Sequence, residues 1–456
     1  MSAAGAPTPR TVAEVTRLSG DSMLRRFLAI APCAAAALWM SFATARAEEP
    51  PADPAADPAA EKSDEKAKNA PVVSAGKDGF SLKSADGLWV FRLRGYLQFD
   101  GRFIDNEGAG PGTDTFLIRR ARPIFEGTLG GRFDWRIMPD FGEGKSVLQD
   151  AYVDARLSSS TKLRLGKFKS PFGLERLQSA TDIEFVERAL PTNLVPNRDL
   201  GIMGHGGLSK GLFSWQLGIF NGVPDGSSAD VDTSDGKDTI GRVFVKPFRS
   251  GRFKGLGIGV AGSAGTQEGV TTATGLAAYK TAAQQTFLSW RTGTTTATTV
   301  LADGRRERWS PQAWLEIGRF GLMAEYVSER QVVALDASSD TIGVAAWQAT
   351  ASWVLTGEDA SMKGIVPRRP LGQGPGAWEV VARAGALSVD GEAFPVYADP
   401  TVSARRAQEL GVGLNGALTT NIRVMADVVR TAFTGGAAGG DRDTELAALT
   451  RFQVSF

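Results

Sequence analysis

The chain has one cysteine and one histidine in 456 residues. Cys33 lies in an apolar stretch near the front that is expected to be removed, so the mature chain holds no thiol; disulfides, thiol catalysis and cysteine-ligated metal sites are excluded together. The lone imidazole, His205 between Gly204 and Gly206, has no serine and aspartate arrangement beside it that would make a triad. The chain is therefore read as no enzyme, with no cofactor and no metal ion called for. Long apolar helical runs are missing after residue 43, and so are the alternating strand and helix units of an α/β enzyme. An excess of charge of one sign is missing too, with 51 Lys and Arg against 50 Asp and Glu. Residues 1–47 carry five of the basic and two of the acidic residues, which leaves 46 against 48 and a mature chain that is not a general nucleic-acid binder.

The front of the chain reads as an address. Arg25 and Arg26 precede the apolar run from Phe27 to Ala43, followed by Ala45, Arg46 and Ala47; basic, apolar and Ala-x-Ala in that order is a secretory signal peptide, residues 1–47. Glu48 to Ser74 is rich in Ala, Pro, Asp, Glu and Lys and has no large apolar residue before Val72, and residues 48–87 are taken as a disordered periplasmic leader.

What is present is glycine, at 54, with 24 Phe and 10 Trp, in an alternating pattern. From Trp89 to Phe103 the odd positions are apolar or small, while the even positions include Arg92, Arg94, Gln98, Asp100 and Arg102. A period-2 strand with that pattern has one oily and one basic face. The same alternation returns sixteen times, near residues 88–103, 115–129, 132–140, 147–157, 161–168, 200–208, 212–220, 239–247, 254–264, 309–317, 320–330, 342–355, 377–388, 408–418, 421–433 and 446–456. Tight turns such as Gly130-Gly131, Ser209-Lys210-Gly211 and Gly318-Arg319 alternate with longer connections, the longest from Gly265 to Arg308. Short turns on one rim and long loops on the other are the pattern of an all-β transmembrane antiparallel barrel, residues 88–456, in the bacterial outer membrane. Trp347, Ala349, Ala351, Trp353 and Leu355 then face outer-membrane lipid, and a final alternating strand ending in Phe456 fits the assembly signal of such barrels. The stretch from Thr356 to Gly376 falls on the short-turn side and is long; it reads as a periplasmic insertion.

Basic residues gather in the first five strands. Arg119, Arg120 and Arg122 follow one another so closely that strict alternation sends Arg119 to the lipid face, where a charge is costly; a β-bulge that turns it inward is the preferred reading. These arginines form either a track that replaces an anion's hydration or a wetted wall whose charges balance Asp134, Asp150 and Asp154. The third long connection, Lys169 to Asp199, carries Thr181-Asp182-Ile183-Glu184 as a capping box, with Ile183, Val186 and Leu190 at helical spacing. A short helix folded into the barrel is expected there, bringing Lys169, Arg176 and Arg188 beside the strand arginines; the alternative is a lid over the mouth.

At these residues the chain resembles the phosphate-selective porin O/P family. The matching segments are Gly95 to Gln98, Phe116 to Ala121, Phe125 to Thr128, Gly166 to Phe168, Phe172 to Glu175, Val186 to Arg188, Leu355 to Glu358, Gly376 to Glu379 and the ending Arg451 to Phe456. The resemblance implies a sixteen-stranded porin, usually a homotrimer, whose third loop enters the lumen and whose arginines guide anions, phosphate above all. It also implies that Arg119 and Arg120 are the paired arginines of the constriction, that Arg92 is a position on the basic ladder and that Arg188 belongs to the constriction loop. Where phosphate-selective members tend to have aromatic groups this chain has Arg122 and Lys169, which leaves phosphate, polyphosphate or small anions in general open. The expected filter is Arg92, Arg94, Arg119, Arg120, Arg122, Lys167, Lys169 and Arg188, in an outer-membrane porin for passive anion diffusion. The competing readings are a wide, weakly selective porin and a structural or adhesive barrel with a plugged lumen.

Overall fold

A computed structural model describes residues 70–105, 113–208, 211–230, 232 and 234–456. The signal peptide, the leader up to residue 69 and two residues of the Ser209-Lys210-Gly211 turn lie outside the described residues.

Sixteen antiparallel strands make the wall: β1 (Val90–Asp105), β2 (Thr115–Leu129), β3 (Phe133–Asp140), β4 (Val147–Arg156), β5 (Thr161–Phe168), β6 (Asp199–Leu208), β7 (Phe213–Phe220), β8 (Asp238–Val245), β9 (Gly257–Glu268), β10 (Leu301–Ile317), β11 (Phe320–Leu335), β12 (Ser338–Val354), β13 (Ala377–Val389), β14 (Ala404–Ala417), β15 (Ile422–Ala437) and β16 (Glu445–Ser455). Each pairs with the next, and β16 pairs with β1 from Leu446 opposite Asp105 to Ser455 opposite Tyr96, which closes the barrel. Sidedness follows the alternation. Leu97 and Phe99 are exposed on β1 while Gln98 and Asp100 are fully buried; Trp347 and Trp353 are exposed on β12 while Gln348, Thr350 and Ser352 are buried. Apolar outside and polar inside is the reverse of a soluble domain and suits a barrel set in lipid.

The strands appear where the alternation put them, with the largest boundary difference at β10. That strand starts at Leu301 rather than near 309, because Asp303, Arg305, Arg306, Glu307 and Arg308 charge both faces of its upper part and erase the period. The leader expectation needs correction at its end. Val72–Gly76 and Gly79–Lys83 form a hairpin, and its second strand pairs with Val90 to Leu93 of β1, so the hydrogen-bonding edge at the start of β1 orders residues whose composition reads as disordered. Phe80 of this hairpin packs edge-on against Phe456.

A bulge lies between β1 and β2: Gln98 faces Arg120 and Phe99 faces Ile118, which leaves Arg119 as the extra residue. Gly142, in the connection after β3, packs on it so closely that a Cβ there would stand 2.6 Å from the Arg119 carbonyl oxygen and 2.8 Å from the Arg120 Cα. Gly142→Ala is expected to displace the bulge and cost ~1–3 kcal/mol. A lower thermal midpoint of the folded barrel in detergent checks this; an unchanged midpoint would show slack that the packing does not suggest.

The connection 169–198 holds a single helical turn, Leu174–Leu177, and a 3₁₀ turn, Leu190–Leu194. The helix expected from the capping box does not form; Thr181 to Ala189 is irregular. Its backbone groups are taken by wall side chains instead. Arg423 and Gln453 donate to the Thr181 carbonyl, Asn415 to that of Glu184 and Arg383 to that of Glu187, while the Val186 N–H donates to Asp427 at 2.5 Å. Gln98 of β1 holds Ala180, and Glu325 of β11 accepts from the Leu174 N–H at 2.6 Å. Buried amides and carbonyls need partners, and here side chains of β1, β11 and β13–β16 supply them in place of i to i+4 bonds.

Two other connections touch this one. Residues 269–300 carry a small ribbon, Tyr279–Lys280 with Thr286–Leu288, and Tyr279, Phe287 and Leu288 share an apolar cluster with Leu190 and Leu194. Asn193 exchanges two hydrogen bonds with the Lys280 backbone, each of 2.9 Å. On the short-turn side, the 355–376 stretch buries Ala360, Met362 and Ile365; the Met362 N–H donates to Glu316, and its carbonyl accepts from Gln178.

Candidate functional site

The bulge, the third connection and the 269–300 ribbon enclose a cavity of about 610 Å³. Nine cations line it: Arg119, Arg120 and Arg122 from β2, Lys145, then Lys169, Arg176, Arg188 and Arg198 from the third connection, and Lys280 from the ribbon. Four carboxylates face them, those of Asp140, Glu143, Glu187 and Asp225.

The cations fall into two electrostatic groups. Those on β2 have acidic partners: Arg119 is bound by Glu187 and Glu143, and Arg122 donates to Asp140 at 2.7 Å. Arg120 donates to Gln98 at 2.7 Å and stands 3.9 Å from Glu187. Arg198, from the loop, donates to Asp150 at 3.1 Å.

The second group has only neutral acceptors. Lys169 donates to the carbonyls of Leu177 and Gln178, and Arg188 to those of Glu175 and Gln178. Arg176 donates to the Thr192 carbonyl and to the Asn197 side chain. Burial first, and then the neighbouring guanidiniums of Arg198 and Arg188, holds Lys169 well below the usual ammonium range. Burial and the same kind of crowding lower Arg176; in Arg188 burial leads and Glu175 offsets part of it. Three basic groups close together, half-buried on the cavity and with no ion-pair partner among the described residues, are the arrangement that an entering anion relieves.

Of the residues singled out from sequence, Arg119, Arg120, Arg122, Lys169, Arg176 and Arg188 come together at this cavity. Arg92 and Arg94 do not. They sit near the start of β1, Arg92 exposed opposite Ser81 of the hairpin and Arg94 3.4 Å from Glu126. Lys167 is buried at the end of β5 and bound to Asp230 at 2.5 Å, outside the lining. Arg198 was not singled out, since one arginine before a strand carries no local signal. A smaller cavity of about 270 Å³ also touches Lys169 and Arg198 and adds Arg136 and Arg164. Glu126 joins Arg136 to Arg94, so cations continue from the large cavity toward the short-turn rim. His205 is a wall residue here, 3.0 Å from Asp154, which also binds Arg164.

The profile of a family described as phosphate-selective porin O and P matches residues 91–456, nearly all of the barrel. The chain belongs to that family. It is thus a porin of the bacterial outer membrane, with the fold of a channel rather than an enzyme. Similar solved structures include OmpT of Vibrio cholerae, 11% identical, covering 81% of this porin and 98% of that chain with a TM-score of 0.52. The outer membrane channel DcaP of Acinetobacter baumannii is 12% identical over 82% of this porin and 99% of that chain, TM-score 0.50. An anion-selective porin from Comamonas acidovorans is 11% identical over 81% and 100%, TM-score 0.50. At these identities the likeness concerns the fold alone. No curated relative matches the porin in sequence.

Proposed function

We propose that this porin passes small anions by passive diffusion, phosphate or polyphosphate foremost, through a constriction formed where the third connection meets β2. The observation that carries this reading is the group of Lys169, Arg176 and Arg188, three half-buried cations on one cavity whose hydrogen bonds go to neutral acceptors. An anion leaving water loses hydration, and these charges replace it; further cations toward the rim, Arg198, Arg136, Arg164, Arg94 and Arg92, keep any one site from becoming a trap. The phosphate preference rests on the family, and so does a homotrimer seated in outer-membrane lipid.

In planar bilayers with a tenfold KCl gradient, the purified porin is expected to give ohmic steps and a reversal potential on the chloride side of zero. A potential on the potassium side would sink the anion reading. A second reading, a structural barrel with a filled lumen, is favoured by the contacts that tie the 169–198 connection to the 269–300 and 355–376 stretches; it predicts no conductance steps at all.

A further inference from the structure

Glu187 has the geometry of a ligand. Its Oε1 accepts from Arg119 Nε at 2.5 Å and from Arg102 at 3.1 Å, and its Oε2 accepts from the Arg119 terminal nitrogen at 3.3 Å and stands 3.9 Å from Arg120. Arg119 thus grips the carboxylate through two parallel N–H bonds, the fork geometry by which guanidinium groups hold carboxylates and phosphates alike. The side chain is 3% exposed. Its backbone is fixed on both sides, since the preceding N–H donates to Asp427 and the Glu187 carbonyl accepts from Arg383. Three guanidiniums therefore meet on one carboxylate that the loop delivers at a set position. Donors remain to spare: the Nε of Arg102 is buried and has no partner. A carboxylate offers two oxygens to this cluster, and a tetrahedral oxyanion would offer more.

We infer that Arg102, Arg119 and Arg120 form a built oxyanion site that Glu187 fills from within the chain, so that it acts as a tethered competitor and sets a low affinity of the pore for phosphate. This rests on the anion reading above and refines it. The strand arginines that the family resemblance marks for the permeating anion are already occupied, and transit is left to Lys169, Arg176 and Arg188, whose hydrogen bonds go to neutral acceptors. A permeant oxyanion binds at the arginine pair only by displacing a carboxylate held at high local concentration, so its residence there is short. Burial pushes the Glu187 carboxyl upward, but Arg119 and Arg120 outweigh it and hold the group well below the usual carboxylate range, so it stays ionised and in competition.

The test uses the full porin in planar bilayers, with chloride carrying the current and inorganic phosphate added as blocker. Glu187→Gln keeps the shape and removes the charge; it is expected to lower the half-blocking phosphate concentration at least about tenfold and to raise anion over cation permeability. A half-blocking concentration within about twofold of the parent, or higher, overturns the inference. The double variant Glu187→Gln with Arg119→Gln is expected to lose the gain, and a gain that persisted would overturn it equally. A merely structural role would loosen the loop, raise potassium and chloride conductance together and leave phosphate block unchanged, which also counts against it. Should Glu187→Gln not assemble, Glu187→Asp withdraws the carboxylate by one methylene and is expected to give a smaller gain of the same sign; no gain there overturns it. A parent porin without anion preference sinks the reading under Proposed function, whereas anion preference with unaltered block sinks only this one.

Discussion

Replacing Lys169, Arg176 and Arg188 together by glutamine is expected to abolish the anion preference of the porin and bring its reversal potential in a salt gradient to zero or to the potassium side. The size of the effect follows from what each cation faces. Arg122 stands against Asp140, Arg119 against Glu187 and Arg198 against Asp150, so three of the six other cations on the cavity each face a carboxylate. The three loop cations have carbonyls and an asparagine instead. Even at the dielectric of bulk water, a unit charge at 4 Å is worth about 1 kcal/mol, and near a protein surface about 4. Three such charges lost correspond, at the lower figure, to about a hundredfold change in the ratio of anion to cation permeability. Single replacement of Arg120 or Arg122 should do less than the triple change, because it removes one of the nine cations on the cavity rather than three. Bilayer recordings decide the matter; a triple variant as anion-selective as the parent would place the filter elsewhere.

That contrast between paired and unpaired cations marks how far the sequence could be read. Period-2 alternation reports which side of a strand meets lipid, and lipid is a uniform partner, so all sixteen strands and the inward turn of Arg119 at the bulge were legible from Trp89 onward. Partners inside the lumen are particular, and alternation carries no record of them. Arg94 and Arg119 look alike in sequence, yet one lies beside Glu126 near the rim and the other grips Glu187 across the loop. The capping box at Thr181 is a local signal of the right kind, and it loses to Arg423, Asn415, Asp427 and Gln453, which claim the same backbone groups from strands more than two hundred residues away. The 355–376 insertion is another such case: its Met362 is placed by Glu316 and Gln178, neither of which is near it in sequence.

Arg451→Met is expected to cause the largest loss of stability among single substitutions in the wall, ~3–5 kcal/mol, because it strands a buried carboxylate. Arg451 and Asp100 lie directly opposite each other across the β16–β1 seam that closes the barrel. Two bonds of 2.8 and 2.7 Å join them, and both side chains are fully buried. Methionine fills similar volume and cannot donate, so the Asp100 charge would stay in the wall without a partner at the seam where the first and last wall strands meet. The ring has no alternative closure, since β1 already pairs with β2 on its other edge. Arg94→Met is the control: its pair with Glu126 is 3.4 Å long and 41% exposed on the arginine side, and should contribute no more than about 1 kcal/mol. Combining Arg451→Met with Asp100→Leu removes both charges and should recover most of the loss, as buried pairs replaced by apolar residues often do. Urea titration of the folded barrel in lipid bilayers separates the three variants; an Arg451→Met barrel no less stable than Arg94→Met would show that the seam is held by its backbone ladder alone. The same substitution also reaches the site. Asp100 and Arg451 act electrostatically on Arg119 and Arg120 respectively, so an unpaired Asp100 adds a third carboxylate, after Glu187 and Glu143, beside the arginine cluster. Any Arg451→Met porin that does assemble should therefore be less anion-selective than its parent, and Asp100→Leu in the same chain should restore the selectivity together with the stability.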